Sequence, residues 1–460
     1  MSATQTYVAR TSLPVSVQCA FDYHERHGAL QRLTPPWEKV EIERSDNSLQ
    51  VGSEVVLKAR LLGMPLRWVA QHVQYDPPHR FAGVQKSGPF RSWHHTHLFH
   101  QRNEHSELED RVEYSLPLGT FGSLFGSGMA EDRIEAMFAY RHRLTHDDLQ
   151  LHADHPTDRL RVAISGSSGL VGSQLQLLLT LLGHHTRPIV RSPGDQVAIA
   201  AWENEQEAAK LEEVDAVVHL AGKPIAGSRW TEETKREIRD SRVEKTRSLC
   251  ESLARLSRKP KVLVCASATG IYGSRGDELL DEQSEPGDDF LAEVASQWEE
   301  ACRPAVDAGI RVVHTRFGLI LSPQDGALAK MLLPAKLAGG KLGSGKQWWS
   351  WIAIDDALGA IYHVLCDESI QGPVNFVSPQ PIRNSDFAAV LGKVIGRPAL
   401  FPAPSAALRI GLGEMADALL LASTRVEPKV LMQTGYRFRF TDLADTLRFL
   451  LGYEKRGSAE

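Results

Sequence analysis

The chain has 460 residues, more than one ordinary hydrophobic core accommodates, so two or three domains are expected. With 42% hydrophobic and 24% charged residues it has the composition of a globular protein, and a net charge of −5 gives no general attraction to nucleic acid or to an anionic membrane. The 5 cysteines are scattered, odd in number and without metal-ligand spacing, which argues against a disulfide framework and for a reducing, cytoplasmic setting.

Residues 1–10 are polar and lack the apolar core of a signal peptide. No run further along reaches the roughly 18 apolar residues of a membrane span. Residues 8–15 read as a first strand, ending at Pro14. Residues 16–33 read as helical or helix-turn-helix, closed by Pro35-Pro36-Trp37. Short alternating runs follow at 37–44, 54–61, 66–76, 80–85, 92–101 and 107–116. Pro, Gly and Asn or Asp separate most of them, which is the pattern of an antiparallel sheet. Residues 119–149 predict a long helix, with Ile134, Met137, Phe138 and Leu144 near helical spacing. His94, His95, His97 and His100 cluster on one run, where His95 and His97 share a face. No Cys or carboxylate stands at metal-ligand spacing from them, so they read as a solvated strand face and no metal site is assigned. The polar stretch 152–157, with Pro156, reads as a linker.

From Arg161 the chain reads Arg-Val-Ala-Ile-Ser-Gly-Ser-Ser-Gly-Leu-Val-Gly. An apolar run meets three glycines, Gly166, Gly169 and Gly172, and then a segment rich in Leu and Gln, good helix formers. That is strand, tight turn, helix. The first glycine permits the turn, the second lets backbone approach a pyrophosphate, and the third lets helix pack on strand. The phosphates would meet free N–H groups at the positive end of the helix. A second strand, 186–190, ends at Val190-Arg191, where NAD-selecting folds place an acid for the ribose 2′-hydroxyl. A guanidinium suits a 2′-phosphate instead, so the sequence favours NADP. Further strands at 214–220, 261–266 and 312–317 alternate with helical stretches at 232–255 and 290–308, which predicts a parallel sheet with helices on both faces. Gly166, Arg191, Gly222 and Ser267 all fall at carboxyl ends of these strands, where ligands sit.

Two resemblances follow. The opening "SLPVSVQCAFDYHERHGALQRLTPPW" and the closing "FGSLFGSGMAEDRIEAMFAYRHRL" resemble the helix-grip fold of the START-like polyketide cyclase superfamily. That resemblance implies a sheet curled around the long helix, with Trp37, Trp68, Phe81, Phe90 and Trp93 either lining an apolar cavity or filling the core. The stretches "ISGSSGLVGSQL", "VDAVVHLAGKPIAGSRWTEETKREIRDSRV", "SATGIYGSRGDELLDE" and "RFGLILSPQDGALAKMLLPAKLAGGKLGSGKQWWSWIAIDD" resemble an extended short-chain dehydrogenase/reductase of the epimerase subgroup that ends in a small domain of unknown function. The implied fold class is α/β: a Rossmann-like doubly wound parallel sheet at 158–400, preceded by the α+β helix-grip domain at 1–155 and followed by a small C-terminal domain at 401–460.

By that resemblance Gly166, Ser168, Gly169, Leu170, Val171, Gly172, Val190, Arg191, Trp202, Glu203, Leu220, Ala221 and Gly222 contact NADP. Trp202 offers a face for adenine or fills the core. The family's hydroxyl is expected at Ser267 or Thr269, followed by a Tyr-Lys pair in which lysine lowers the tyrosine pKa for proton transfer. The pair should fall near residue 290, where Phe290 and Val294 stand, and Tyr272 is the nearest phenol. The implied function is an NADP-dependent oxidoreductase acting on a small molecule, with an apolar ligand held in the N-terminal cavity. The rival is an NADP-dependent sensor without chemistry. The glycine-rich loop 339–345 lacks the ending of a P-loop. After it, Trp348, Trp349 and Trp351 either stack on a substrate ring or clasp subdomains. Asp355 reads as an N-cap, residues 405–421 as an apolar helix kinked near Gly411 and Gly413, 435–440 as a strand and 443–451 as a helix. The oligomeric state is left open.

Overall fold

The computed structural model describes residues 4–61, 64–117, 119–190, 198–200, 202 and 205–453. They form two compact units. Met1–Pro156, with Leu177–Gly183 and Arg448–Glu460, makes the first; Thr157–Gln176 and His184–Leu447 make the second.

In the first unit Gln5–Leu13 leads into the helix Val17–Glu25, whose start is fixed by the Ser16 hydroxyl accepting from the Cys19 amide at 3.3 Å. Six antiparallel strands follow the second short helix, and the first strand closes against the last. The sheet order is Gln5–Leu13, His105–Ser115, Ser92–Arg102, Arg80–Ser87, Met64–Asp76, Glu54–Leu61, Glu41–Ser45. The long helix Gly119–Asp154 packs on it, stacking Phe138 on Tyr7 with ring centroids 5.5 Å apart. This is the helix-grip arrangement. Trp68, Phe90 and Trp93 pack on one another at centroid distances of 4.8 to 5.8 Å, so these rings contribute to the core as well as to any wall. The short helices are tied to the long one by a buried ion pair: Asp148 accepts from Arg32 at 2.9 and 3.0 Å and from the Tyr23 hydroxyl at 2.9 Å.

The histidine run departs from the solvated face read from sequence. Its side chains at His95 and His97 are only 12% and 16% exposed. The antiparallel register sets His97 opposite Asp110, which lies on the inward face of its strand. Local spacing hides this partner because it belongs to the next strand.

The second unit holds a parallel sheet in the order Ile199–Ala200, His185–Val190, Arg161–Ser165, Ala216–His219, Val262–Ala268, Arg311–Phe317, Gly372–Phe376. The chain runs outward from Arg161–Ser165 on one side, then returns to add strands on the other. The order therefore reverses between Arg161–Ser165 and Ala216–His219, which opens a crevice at their carboxyl ends. Val162, Ile164, Val217, Val218, Leu263 and Val264 are fully or almost fully buried, as strands covered on both faces require. The last strand escaped the sequence reading because Pro373 and Asn375 dilute its apolar run.

Several expectations are corrected. The stretch 232–255 is two helices, Glu232–Asp240 and Val243–Arg255, and 290–308 is Phe290–Glu300 followed by Arg303–Asp307. Asp355 lies inside the first turn of Ile354–Cys366, and Ala353 takes the cap position. Residues 435–440 form no strand; there the Arg439 and Phe440 amides donate to the Asp356 carboxylate at 2.8 and 3.0 Å. Residues 405–421 break at Gly413, whose φ of +63° separates Ser405–Leu412 from a π-helical turn. No helix among the described residues is long and apolar enough to cross a membrane.

Candidate functional site

At the crevice the first and third glycines of the turn are demanded by space. Gly166 has φ +68°, and a Cβ there would stand 2.8 Å from the Leu220 carbonyl carbon. A Cβ on Gly172 would stand 2.3 Å from the Gly166 oxygen, so only glycine lets this helix approach its own turn. Ser168 and Gly169 are exposed between them. The helix Leu170–Leu181 starts here, which puts its positive N-terminal end at the turn.

A buried hydrogen-bond chain holds the two strand ends in register. Ser165 Oγ accepts from the Leu220 and Ala221 amides at 3.2 and 3.4 Å, and lies 2.6 Å from His219 Nδ1. With its lone pairs taken by amides, the serine proton goes to Nδ1, and His219 Nε2–H donates to Thr246 Oγ1 at 3.1 Å. The same Thr246 oxygen accepts from the Trp298 indole at 2.9 Å. Burial pushes His219 down to about 4, so it is a neutral linker.

Arg242 was not singled out from sequence. A Cβ on Gly222 would stand 3.3 Å from its guanidinium carbon, and the guanidinium lies 5.1 Å from the Trp298 ring centroid. Its Nη1 donates to the Lys223 and Ile238 carbonyls at 3.0 and 3.1 Å. Among the described residues no carboxylate pairs with it, and burial alone lowers its pKa to about 10. It remains a cation at neutral pH, set against Gly222, the residue after Ala221, whose amide nitrogen would stand 2.9 Å from a Cβ on Gly166. The sequence reading placed it inside the continuous helical stretch 232–255; only the break between the helices Glu232–Asp240 and Val243–Arg255 brings it to Gly222.

The hydroxyl candidates lie on the neighbouring strand end. Ser267 Oγ donates to Glu299 Oε1 at 2.7 Å, and Glu299 holds Arg316 in a two-point ion pair at 2.8 Å for each contact. Arg316 Nη1 donates to the Tyr272 hydroxyl at 2.9 Å, which donates to Asn375 Oδ1 at 2.7 Å. Tyr272 is fully buried, and burial pushes it up to about 12. Thr269 is half-buried, its hydroxyl 3.4 Å from the Phe317 carbonyl.

Residues 162–376 match the NAD dependent epimerase/dehydratase family, residues 13–138 the polyketide cyclase / dehydrase and lipid transport family, and residues 403–450 a domain of unknown function, DUF1731. Epimerase family protein YfhF of Bacillus subtilis is 36% identical over 304 residues, spanning 64% of this chain and 99% of that protein. The chain belongs to the epimerase family. Human epimerase family protein SDR39U1, whose crystal structure was determined with NADPH, is 34% identical with a TM-score of 0.60, over 64% of this chain and 99% of that one. The nucleoside-diphosphate sugar epimerase of Corynebacterium glutamicum is 33% identical with a TM-score of 0.79, over 98% of this chain and 91% of that one. The latter likeness extends through the N-terminal helix-grip domain.

In this epimerase-family chain the place expected for the Tyr-Lys pair is an apolar corner. Asp289 caps the helix by accepting from the Ala292 amide at 2.9 Å, which makes Phe290 its first residue. Phe290 packs edge-on against Trp230 at 5.3 Å under the Lys235 ammonium, and Leu412, Met415 and Leu419 join the same cluster. Val294 is buried. The tryptophan loop is a clasp: Trp348 lies between Arg383 and Arg425, Trp349 packs on Phe387, and Trp351 is fully buried. Trp202 donates from Nε1 to Ser248 Oγ at 3.2 Å and meets His219 edge-on at 6.1 Å. Arg191 and Glu203 lie outside the described residues.

Proposed function

We propose that residues 158–400 of this epimerase-family chain bind NADPH and act as an oxidoreductase on a small molecule, while residues 1–155 hold an apolar ligand and residues 401–460 close the apolar corner at Phe290. The observation that carries the reading is the Gly166–Gly172 turn, which requires glycine at Gly166 and Gly172, leaves Gly169 exposed between them and is sited where the strand order reverses. Gly166, Ser168, Gly169, Leu170, Val171 and Gly172 would cradle the pyrophosphate. Leu220, Ala221 and Gly222 leave room along the second strand end, and Arg242 supplies charge facing the bridge. Val190, Arg191, Trp202 and Glu203 would surround the adenosine half, with Arg191 on the 2′-phosphate. The NADPH relative supports the choice of dinucleotide.

Nicotinamide would supply a hydride, and the chain would bind, orient and exclude water. Ser267 and Tyr272 serve in this reading as scaffold, because their hydroxyls are committed to Glu299, Arg316 and Asn375. Thr269 is then the hydroxyl left at the strand end. A second reading, an NADPH-dependent sensor, is favoured by Phe290, which has no proton to give.

Equilibrium titration with NADPH and NADH, followed by NADPH absorbance over a panel of carbonyl compounds, separates these. Turnover with any compound supports the oxidoreductase, tight binding without turnover supports the sensor, and binding of neither dinucleotide overturns both. Arg191→Asp should weaken NADPH and spare NADH; equal loss would remove Arg191 as selector.

A further inference from the structure

We propose that the N-terminal domain carries a site for one divalent transition-metal ion, bound by His95 Nε2, His97 Nδ1 and Asp110 Oδ1, with His142 as the positioning residue that orients the carboxylate. The ligand atoms come from two paired strands. His95 and His97 share a strand face, and the register sets Asp110 opposite His97 and Val112 opposite His95. His95 Nε2 lies 2.7 Å and His97 Nδ1 2.6 Å from the same Asp110 oxygen, and the donor atoms of all three residues lie within 4.8 Å of one another. The other carboxylate oxygen, Oδ2, lies 2.6 Å from His142 Nε2, from the long helix.

Three features set this apart from an ordinary buried ion pair. Among the described residues every ion-pair partner of Asp110 is an imidazole; Arg141, on the long helix, sends its Nε to the Leu33 carbonyl instead. His97 Nδ1 meets that same carboxylate oxygen at 2.6 Å outside ordinary hydrogen-bond geometry, so both imidazoles converge on one buried oxygen. The rings are held by packing: Phe81 stacks on His97 at 4.0 Å, and Phe138 meets His95 edge-on at 5.2 Å. Carboxylates that ligate metals are themselves hydrogen-bonded, and His142 fills that place on Asp110.

Two imidazoles and one carboxylate suit Zn(II) or Fe(II) and leave coordination positions for water or an oxygen-bearing ligand. Metal–ligand bonds of about 2.0–2.2 Å would hold donor atoms roughly 3 Å apart, so the cluster would open by about half an ångström on uptake. This site is independent of the NADPH reading.

The test uses the full chain, stripped of metal by a chelator and titrated with Co(II) and then Zn(II). The expected result is one equivalent of Co(II), visible d–d absorption of a low-symmetry nitrogen/oxygen site, and displacement by Zn(II). His95→Ala and His97→Ala should each abolish the spectrum, and His142→Ala should weaken binding by about 10–100-fold. Circular dichroism melts of each variant establish that it folds. Absence of stoichiometric binding by the wild-type chain, or binding unchanged in the folded His95→Ala/His97→Ala double variant, overturns the proposal.

Discussion

His219 and Ser165 stand 2.6 Å apart at the ends of two adjacent parallel strands, and through that contact the strand carrying the glycine turn is locked to the strand that faces it. His219 is fully buried and held down to about 4, below its unfolded value of about 6.5. A depressed histidine contributes stability that is complete above about pH 6.5 and is lost as pH falls toward about 4, because the unfolded chain takes up the proton first. The loss should reach about 3 kcal/mol at the acid end. Thermal melts of the wild type and His219→Gln between these limits check it: the variant should be less stable at neutral pH and lose less on acidification.

If Arg242 faces the dinucleotide as proposed, Arg242→Ala should weaken NADPH binding by about tenfold or more, since it would remove a charge-assisted contact to a phosphate. Arg242→Lys should restore part of it. Calorimetric titration reads the affinity. A variant that binds NADPH as the wild type does would show that the cation faces something else.

Tyr272→Phe separates scaffold from chemistry. The phenol bridges Arg316 and Asn375, so its loss should cost about 1–3 kcal/mol in chemical denaturation. Any turnover found for the wild type should survive with kcat unchanged. A drop of kcat without loss of stability would return Tyr272 to the reacting groups.

In the N-terminal domain Asp148→Ala would remove the Asp148 carboxylate from the almost wholly buried Arg32 guanidinium. The expected cost is about 3–5 kcal/mol, read as a lower denaturation midpoint. A change below about 1 kcal/mol would mean that water reaches this pair.

Much of this architecture was legible. The glycine spacing after Ile164 and the alternation of strands and helices marked the parallel sheet, and the six alternating runs before residue 117 marked the antiparallel one. These signals are local, and local periodicity survives in sequence. What was not legible depends on distant partners. Asp110 reaches His97 through strand pairing, and His142 reaches Asp110 from a helix. Arg242 meets Gly222 only after the chain turns twice. The strand Gly372–Phe376 owes its place to the edge it completes rather than to its own residues. Tyr272 stood out as the nearest phenol, but its engagement by Arg316 and Asn375 is one that no spacing rule connects.

The central claim is that the Gly166–Gly172 corner receives a dinucleotide's pyrophosphate. Calorimetric titration of NADPH into the intact chain, beside Gly169→Ala, tests it most directly. A Cβ at Gly169 would stand 3.3 Å from the Gly166 oxygen, a contact tight but tolerable to the fold, and would place a methyl group where the phosphates approach. The account predicts one-to-one binding by the wild type and at least about tenfold weaker binding by the variant with its melting temperature nearly unchanged. Equal affinity in the two proteins, or no NADPH bound by either, would contradict it.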